Sequence, residues 1–385
     1  MWKCNKCGEQ NNDKVCLKCG NPQPVETENR QQPVETVKEQ HSAEAAAEPQ
    51  HKNQNGVKKK PNKKVITIVA IVAALVVIAA VVILVIIPNI EPQLAEGEFS
   101  PAEDFEYRIY AGEAEINGYV GRASVVRIPE KIDVYPVTSI SNYAFHGKDT
   151  IKELVIPESV VSIGNSAFYG CTSLTTVTIP ASVTNIGSSA FSNCSSLIAV
   201  TLPEGITSIN DSTFYDCSSL AEIVIPESVT SIGNSVFYGC GSLTAVTLPE
   251  GLTSMGEVVF YDCSSLTAIT IPNSITSISR GAFSGCTSLT QVTIPASVTT
   301  IGSRAFAECN SLNTITIPAS VTEIGEWALF ECNSLISVTF EGAPPTADSG
   351  VITRNAKIYY PAAYAHLWAP NGETEWNGNK IEQLG

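Results

Sequence analysis

The chain is poor in charge. Only 16% of its 385 residues are Asp, Glu, Lys or Arg, while apolar residues reach 44%, a balance that excludes global disorder. Histidine is scarcer still. Of the four, His41 and His51 lie in a polar low-complexity stretch, leaving His146 and His366 for the rest of the chain. Neither has a cysteine or carboxylate at a spacing that suggests nucleophilic catalysis, so the sequence supports no enzyme reading. Basic residues are missing where most of the protein is. Residues 1–64 carry 12 Lys+Arg against 8 Asp+Glu, whereas residues 65–385 carry 11 against 30. An acidic surface repels phosphate, so nucleic acid is not an expected partner.

One stretch lacks charge altogether. Val65 to Ile87 is an unbroken apolar run whose single hydroxyl is Thr67. As a helix it would span roughly 34 Å, against a hydrocarbon core of about 30 Å. A backbone in lipid must satisfy its own hydrogen bonds, which makes a helix of this Val- and Ile-rich segment. Lys58, Lys59, Lys60, Lys63 and Lys64 precede it and no basic cluster follows. The positive-inside rule then places residues 1–64 in the cytoplasm and the remainder outside. The expectation is a single-pass protein of a bacterial-type cell membrane, contacting lipid through residues 65–87. A cleaved signal peptide would have a shorter core closer to the start.

The first twenty residues contain four cysteines in two CxxCG knuckles, Cys4 with Cys7 and Cys16 with Cys19. A two-residue spacing lets a tight turn aim both sulfurs at one ion, and four thiolates suit tetrahedral Zn2+. So short a segment has no hydrophobic core, so a structural zinc would supply its folding energy. The module is similar to the short zinc ribbons at the N-termini of bacterial membrane proteins. Iron in a sulfur site and disulfides are the competing chemistries; a reducing cytoplasm disfavours the second. A cytoplasmic protein docked on this module is the partner it implies. Residues 21–64 read as a disordered linker ending in the basic juxtamembrane cluster.

From Ile151 onward a 23-residue pattern recurs, approximately LTxVTIPxSVTxIGxxAFxxCxS. Proline returns from Pro157 to Pro318, phenylalanine from Phe145 to Phe306, and cysteine from Cys171 to Cys332. Such a period is the signature of a repeat solenoid. In one coil, Val177 and Ile179 face inward and threonines outward, as in a short strand; Pro180 ends it because it has no N–H to donate. Val183 and Ile186 make a second extended stretch and Gly187 turns the chain. Ala190, Phe191 and Cys194 have helical spacing and predict one turn of α- or 3₁₀-helix. A lone coil buries too little to offset its ordering entropy, so stacking is obligatory. Equivalent cysteines in stacked coils are close enough for disulfides, but the dihedral a bridge needs is not what uniform stacking supplies, and free thiols are the preferred reading.

The string IPxSVTxIGxxAFxxCxSL, with the opening IPEKIDVYPVTSI, resembles the BspA-like leucine-rich-repeat family of bacterial and protist surface proteins. The resemblance covers residues 98–385. It implies surface display and adhesion, and brings no catalytic residues. The expected fold is a leucine-rich-repeat solenoid of short parallel β-strands joined by short helical or 3₁₀ turns, plus a zinc ribbon and one transmembrane α-helix. The domains are 1–20, 21–64, 65–87, an N-terminal cap with a degenerate coil starting at Phe105 (98–150), tandem repeats (151–340) and a C-terminal cap (341–385).

Two columns are candidate binding surfaces for an extracellular protein or glycan. One is the outward strand position, Thr178, Thr201, Thr247, Thr270, Thr293 and Thr316, for which β-propensity on a solvated face is the alternative reading. The other is Tyr169, Tyr215, Tyr238 and Tyr261, each just after the repeat phenylalanine, for which partial burial is the alternative. The expected function is a membrane-anchored surface protein mediating binding or adhesion. A transmembrane sensor reporting to a partner of the zinc module is the second reading, disfavoured by the flexible linker.

Overall fold

The computed structural model describes residues 98–348 and 350–384, together with residues 2–3 and 10–11. Contacts divide the chain into two units, Met1–Glu91 and Pro92–Gly385. In the first, Trp2–Lys3 pairs antiparallel with Gln10–Asn11. Cys4, Cys7, Cys16, Cys19, the linker and the apolar run 65–87 lie outside the described residues. Among the described residues no helix is long and apolar enough to cross a membrane.

The second unit is a solenoid. Each coil contributes a first strand of three or four residues, such as Thr176–Thr178 or Thr314–Ile317, and a two-residue strand such as Asn185–Ile186. Coils pair in parallel with an offset of one period: Val177 faces Val200, and Ile186 faces Ile163. Six first strands, from Val125–Arg127 to Ala245–Thr247, form one sheet. The alternation explains the burial. Val177, Val200 and Ile223 point into the core, whereas Ala199, Thr201, Glu222 and Val224 are exposed. Serine and threonine of the SVT segment tie coils together: Ser182 Oγ donates to the Val160 carbonyl at 2.6 Å, and Thr184 Oγ1 to that of Val161 at 3.4 Å.

The third side of each coil corrects the helical expectation. Gly187 to Cys194 is a run of turns without α- or 3₁₀-helix. Ser189 and Asn193 have φ of 56° and 60°, and the same two positions are left-handed in the coils around them. These residues reverse the local path, so N–H groups alternate in direction. Those of Ala190, Ser192 and Cys194 bond three residues back, while those of Ser189, Phe191 and Asn193 donate to Asp211, Thr213 and Tyr215 of the next coil. An apolar spacing of i, i+1, i+4 cannot separate this arrangement from a helix, because both bury the same side chains.

Gly187 has a different role from the one expected. A Cβ there would lie 2.5 Å from the Asn165 nitrogen of the previous coil, so close approach, and not a left-handed turn, requires glycine. Asn210 and Ser279 occupy the same column, and each bonds the previous coil's carbonyl at 2.6 Å.

The phenylalanines form a buried stack from Phe145 to Phe306, with successive centroids 5.1–5.9 Å apart. At the N-terminal end the expected degenerate coil does not begin at Phe105. Phe105–Tyr110 and Glu113–Tyr119 are an antiparallel hairpin, and Tyr119 stacks on Phe145 at 5.5 Å to close the column. The first coil strand is Val125–Arg127. Pro129 stands one insertion out of phase with the repeat prolines, and that insertion is a second hairpin, Lys131–Ile132 with Tyr135–Pro136. At the other end, Lys357–Pro361 and Asn379–Leu384 continue the parallel sheet, and Phe340, Trp368 and Trp376 pack with centroids 4.9–5.5 Å apart over the last coil.

Candidate binding surface

The eight repeat cysteines are buried free thiols. Each Sγ donates to the carbonyl of a phenylalanine 26 residues earlier; Cys194 reaches Phe168 at 3.2 Å. Burial pushes Cys171 and Cys332 up to about 12 and raises the other six as well. Such thiols are neutral and closed to solvent, the reverse of a reactive cysteine. A shallow recess of about 350 Å3 beside Arg108, Glu115 and Ser141 is polar, and its Glu115 carboxylate already accepts from both neighbours at 2.5 Å.

The exposed columns are where the repeat offers chemistry to a partner. The strand register sets Thr270 beside Thr293 and Thr316 beside Thr339. Thr201, Thr247, Thr270, Thr293 and Thr316 are exposed, and Thr178 is half-buried. Other threonines serve the fold: Thr244, Thr267 and Thr290 each donate to the carbonyl one coil back, at 3.1–3.4 Å. Among the described residues no such bond engages the hydroxyls of Thr201, Thr247, Thr270, Thr293 or Thr316.

The tyrosine column is ordered by its own stacking. Tyr215 lies 4.7 Å from Tyr238, and Tyr238 lies 4.7 Å from Tyr261, with interplanar angles of 11° and 5°. All three rings are half-buried. Face-to-face stacking consumes the ring faces and leaves the edges and phenol groups outward. Tyr169 is separate from this trio, because the intervening coil has Ser192 at the equivalent position. It stacks instead on His146, at 5.0 Å and 6°. His146 was not among the sequence candidates, although it stands one period before Tyr169; register, and not residue type, was the signal that identified it.

Carboxylates accompany the column. Asp216 and Asp262 are left-handed, and each leans over a glycine of the next coil, Gly239 and Gly285. Burial, followed by the neighbouring Asp216, raises Asp262 above the ordinary carboxylate range. Burial and then the adjacent aspartate raise the Tyr215 and Tyr261 phenols. Asp216 and Asp262 thus place negative charge beside Tyr215 and Tyr261, opposed at Tyr261 by Arg304.

A family model described as the BspA type leucine-rich repeat region, in six copies, matches residues 138–267 and 253–358, together more than half of the chain. The chain belongs to that family. Its repeats are of the kind that typically serve binding and scaffolding. Solved structures similar to this BspA-type chain include a T. pallidum leucine-rich-repeat protein, at 30% identity over 56% of this chain and 91% of that one, with a TM-score of 0.41. Another is a leucine-rich cell surface protein from Faecalibacterium prausnitzii, at 25% identity over 75% and 95%, TM-score 0.44. The pneumococcal vaccine antigen PcpA is similar at 18% identity over 75% and 99%, TM-score 0.43. No curated protein sequence matches the chain.

Proposed function

We propose that this BspA-type repeat protein is displayed on the outside of a bacterial-type cell membrane and mediates protein or glycan binding. The observation that carries the reading is the ladder Tyr215–Tyr238–Tyr261, stacked at 4.7 Å with all three rings half-buried. A repeat spends nothing on its fold by exposing tyrosines, since Ser192, Ser284 and Ala307 occupy the same position elsewhere. Ordered aromatics with polar tips on a surface are what protein recognition uses. Lys58–Lys64 ahead of the apolar run 65–87 supports anchoring with the N-terminus cytoplasmic.

The cytoplasmic end carries the Cys4, Cys7, Cys16, Cys19 set. Four soft donors fit a closed, structural Zn2+ site, and the antiparallel pairing of Trp2–Lys3 with Gln10–Asn11 supports a compact module around it. Zinc there would organise the fold of a docking module for a cytoplasmic partner.

The test uses the full chain against immobilised extracellular proteins and glycans, beside a triple variant Tyr215→Ala, Tyr238→Ala, Tyr261→Ala. Every ligand of the native chain should be lost or weakened at least tenfold by the triple variant. Undiminished binding would remove the column from the site. Protease added to intact cells should digest the repeats and spare residues 1–64; protected repeats would overturn surface display.

A further inference from the structure

The sheet that holds the second strands of the first coils ends on an open edge. Phe105–Tyr110 is its last strand and pairs only with Glu113–Tyr119. That pairing fixes which backbone groups face away. The Val120 N–H donates to the Asp104 carbonyl at 2.8 Å, and the two-residue turn Ala111–Gly112, with φ of 53° and 87°, closes between Tyr110 and Glu113. Both relations turn the even-numbered residues of the strand toward Glu113–Tyr119. Phe105, Tyr107 and Ile109 therefore aim their N–H and carbonyl groups outward. The Phe105 N–H bonds the Ala102 carbonyl. Among the described residues nothing engages the N–H groups of Tyr107 and Ile109, or the carbonyls of all three.

The same alternation divides the side chains. Tyr107 and Ile109 stand opposite Ile116 and Ala114, both fully buried, and so share their core-facing side. They are nevertheless 40% and 39% exposed, because the core stops at this edge. Glu106 and Arg108 point to the other face. Arg108 bonds Glu115 through Nε, which leaves the terminal nitrogens of its guanidinium free to bond, and Glu106 has no ion-pair partner among the described residues. An exposed, partly apolar edge of this length is a template for another strand.

Resting on the reading that the chain is displayed on a membrane, which confines its copies to one surface, we propose that Phe105–Tyr110 pairs antiparallel with the same strand of a second copy, about a two-fold axis through Tyr107. The strand is complementary to itself in this register. Glu106 faces the partner's Arg108, and Arg108 faces the partner's Glu106, each pair on the outer face. On the core side Tyr107 meets the partner's Tyr107, and Ile109 meets the partner's Phe105, so the uncovered apolar stripe is covered by its own kind. Two bonds join the Tyr107 residues, and each Ile109 N–H reaches the other copy's Phe105 carbonyl. All the open N–H groups are then used, and the Phe105 N–H that the pairing leaves out is the one already bonded to Ala102. An axis through Phe105 would set Glu106 against Asp104, and one through Ile109 would run the pairing into the turn.

The test is oxidative crosslinking of the full chain on intact cells with copper phenanthroline in air, read on non-reducing gels beside the native chain. In the dimer the two Cα atoms of residue 107 lie about 5.5 Å apart, within disulfide range. The two copies of residue 110 lie roughly 20 Å apart. Tyr107→Cys should therefore give about tenfold more covalent dimer than Tyr110→Cys, although Tyr110 is 80% exposed and random collision would favour it. On the Tyr107→Cys chain, Glu106→Arg or Arg108→Glu alone sets like charges opposite each other and should cut the dimer about threefold or more. The two charge variants expressed together restore both pairs and should form a mixed dimer at the Tyr107→Cys level. Equal yields at positions 107 and 110, or a mixed dimer no more abundant than the dimers of either variant alone, would overturn the proposal. Should Arg108→Glu fail to fold, the comparison of positions 107 and 110 decides, since neither substitution touches the Arg108–Glu115 pair. Repeats digested by protease without a Tyr107→Cys dimer would keep surface display and discard only the dimer. Protected repeats would overturn display, and the same crosslinking in an uncharged detergent would then decide the dimer separately.

Discussion

The thiol of Cys240 donates to the carbonyl oxygen of Phe214 at 3.2 Å, and the same oxygen accepts the backbone N–H of Cys217 from its own coil. One carbonyl thus joins a local turn to the next coil, and the cysteine column repeats the joint along the solenoid. This explains a cysteine where any small apolar residue would pack. Cys240→Ala removes the donor and leaves a void, and should cost about 1–2 kcal/mol in denaturant unfolding. A loss below a few tenths would show that the thiol is only filling space.

The raised thiols make stability depend on alkaline pH. Below about 9 both folded and unfolded chains keep these protons, and the thiols' contribution is fully present. Above that the unfolded chain ionises while Cys171 and Cys332 hold their protons to about 12. Stability should therefore fall as pH rises from about 9, by about 1.4 kcal/mol per unit for each thiol, until the folded thiols ionise too. The transition temperature should already drop between pH 8.5 and 10. A flat profile over that interval would contradict the buried column.

The two cysteine groups should respond to different reagents. The full chain contains 12 cysteines, of which eight are the buried repeat thiols. With iodoacetamide at neutral pH, intact-mass spectra should show the repeat thiols unlabelled until denaturant is added. Under the zinc reading, Cys4, Cys7, Cys16 and Cys19 should be protected until a chelator strips the metal. Labelling of those four without chelator would remove the metal site, and it would leave the solenoid untouched.

Close approach of the coils at Gly187 is testable by comparing two small side chains. Alanine brings a Cβ against the Asn165 backbone with no compensation. Serine brings the same Cβ but supplies a hydroxyl, as Ser279 does when it bonds the Met255 carbonyl at 2.6 Å. Gly187→Ala should lose about 2–3 kcal/mol and Gly187→Ser distinctly less. Equal losses would mean that the Ser279 bond does not relieve the contact.

The stacked sheets were legible because side-chain identity repeats with them: the Pro, Phe and Cys columns each state the 23-residue period, and Val177 with Ile179 states which strand face is inside. The turn run at Ser189 to Cys194 was not legible, since left-handed serine and asparagine leave the apolar spacing unchanged. The hairpin Phe105–Tyr119 was missed because its alternation suits an antiparallel pair as well as a coil, and pairing partners are non-local information. In the candidate surface the tyrosines announced themselves by type, whereas His146 has meaning only in register with them.

Val258 is a β-branched residue at φ of 50°, in the column where Ser189, Ser212 and Ser235 stand and where Gly281 follows. A branched side chain crowds the carbonyl in this region of backbone space, at a cost of about 1–2 kcal/mol. Asparagine enters the region more readily because its short polar side chain bonds locally. Val258→Asn should therefore raise stability by about 1 kcal/mol, a shift of roughly 2 °C in the transition temperature for a domain of this size. The reverse exchange, Ser235→Val, imports the same crowding one coil earlier and should lower it by a similar amount. The pair separates backbone strain from packing: if burial of the valine methyl groups dominated, Val258→Asn would destabilise and Ser235→Val would be neutral or favourable.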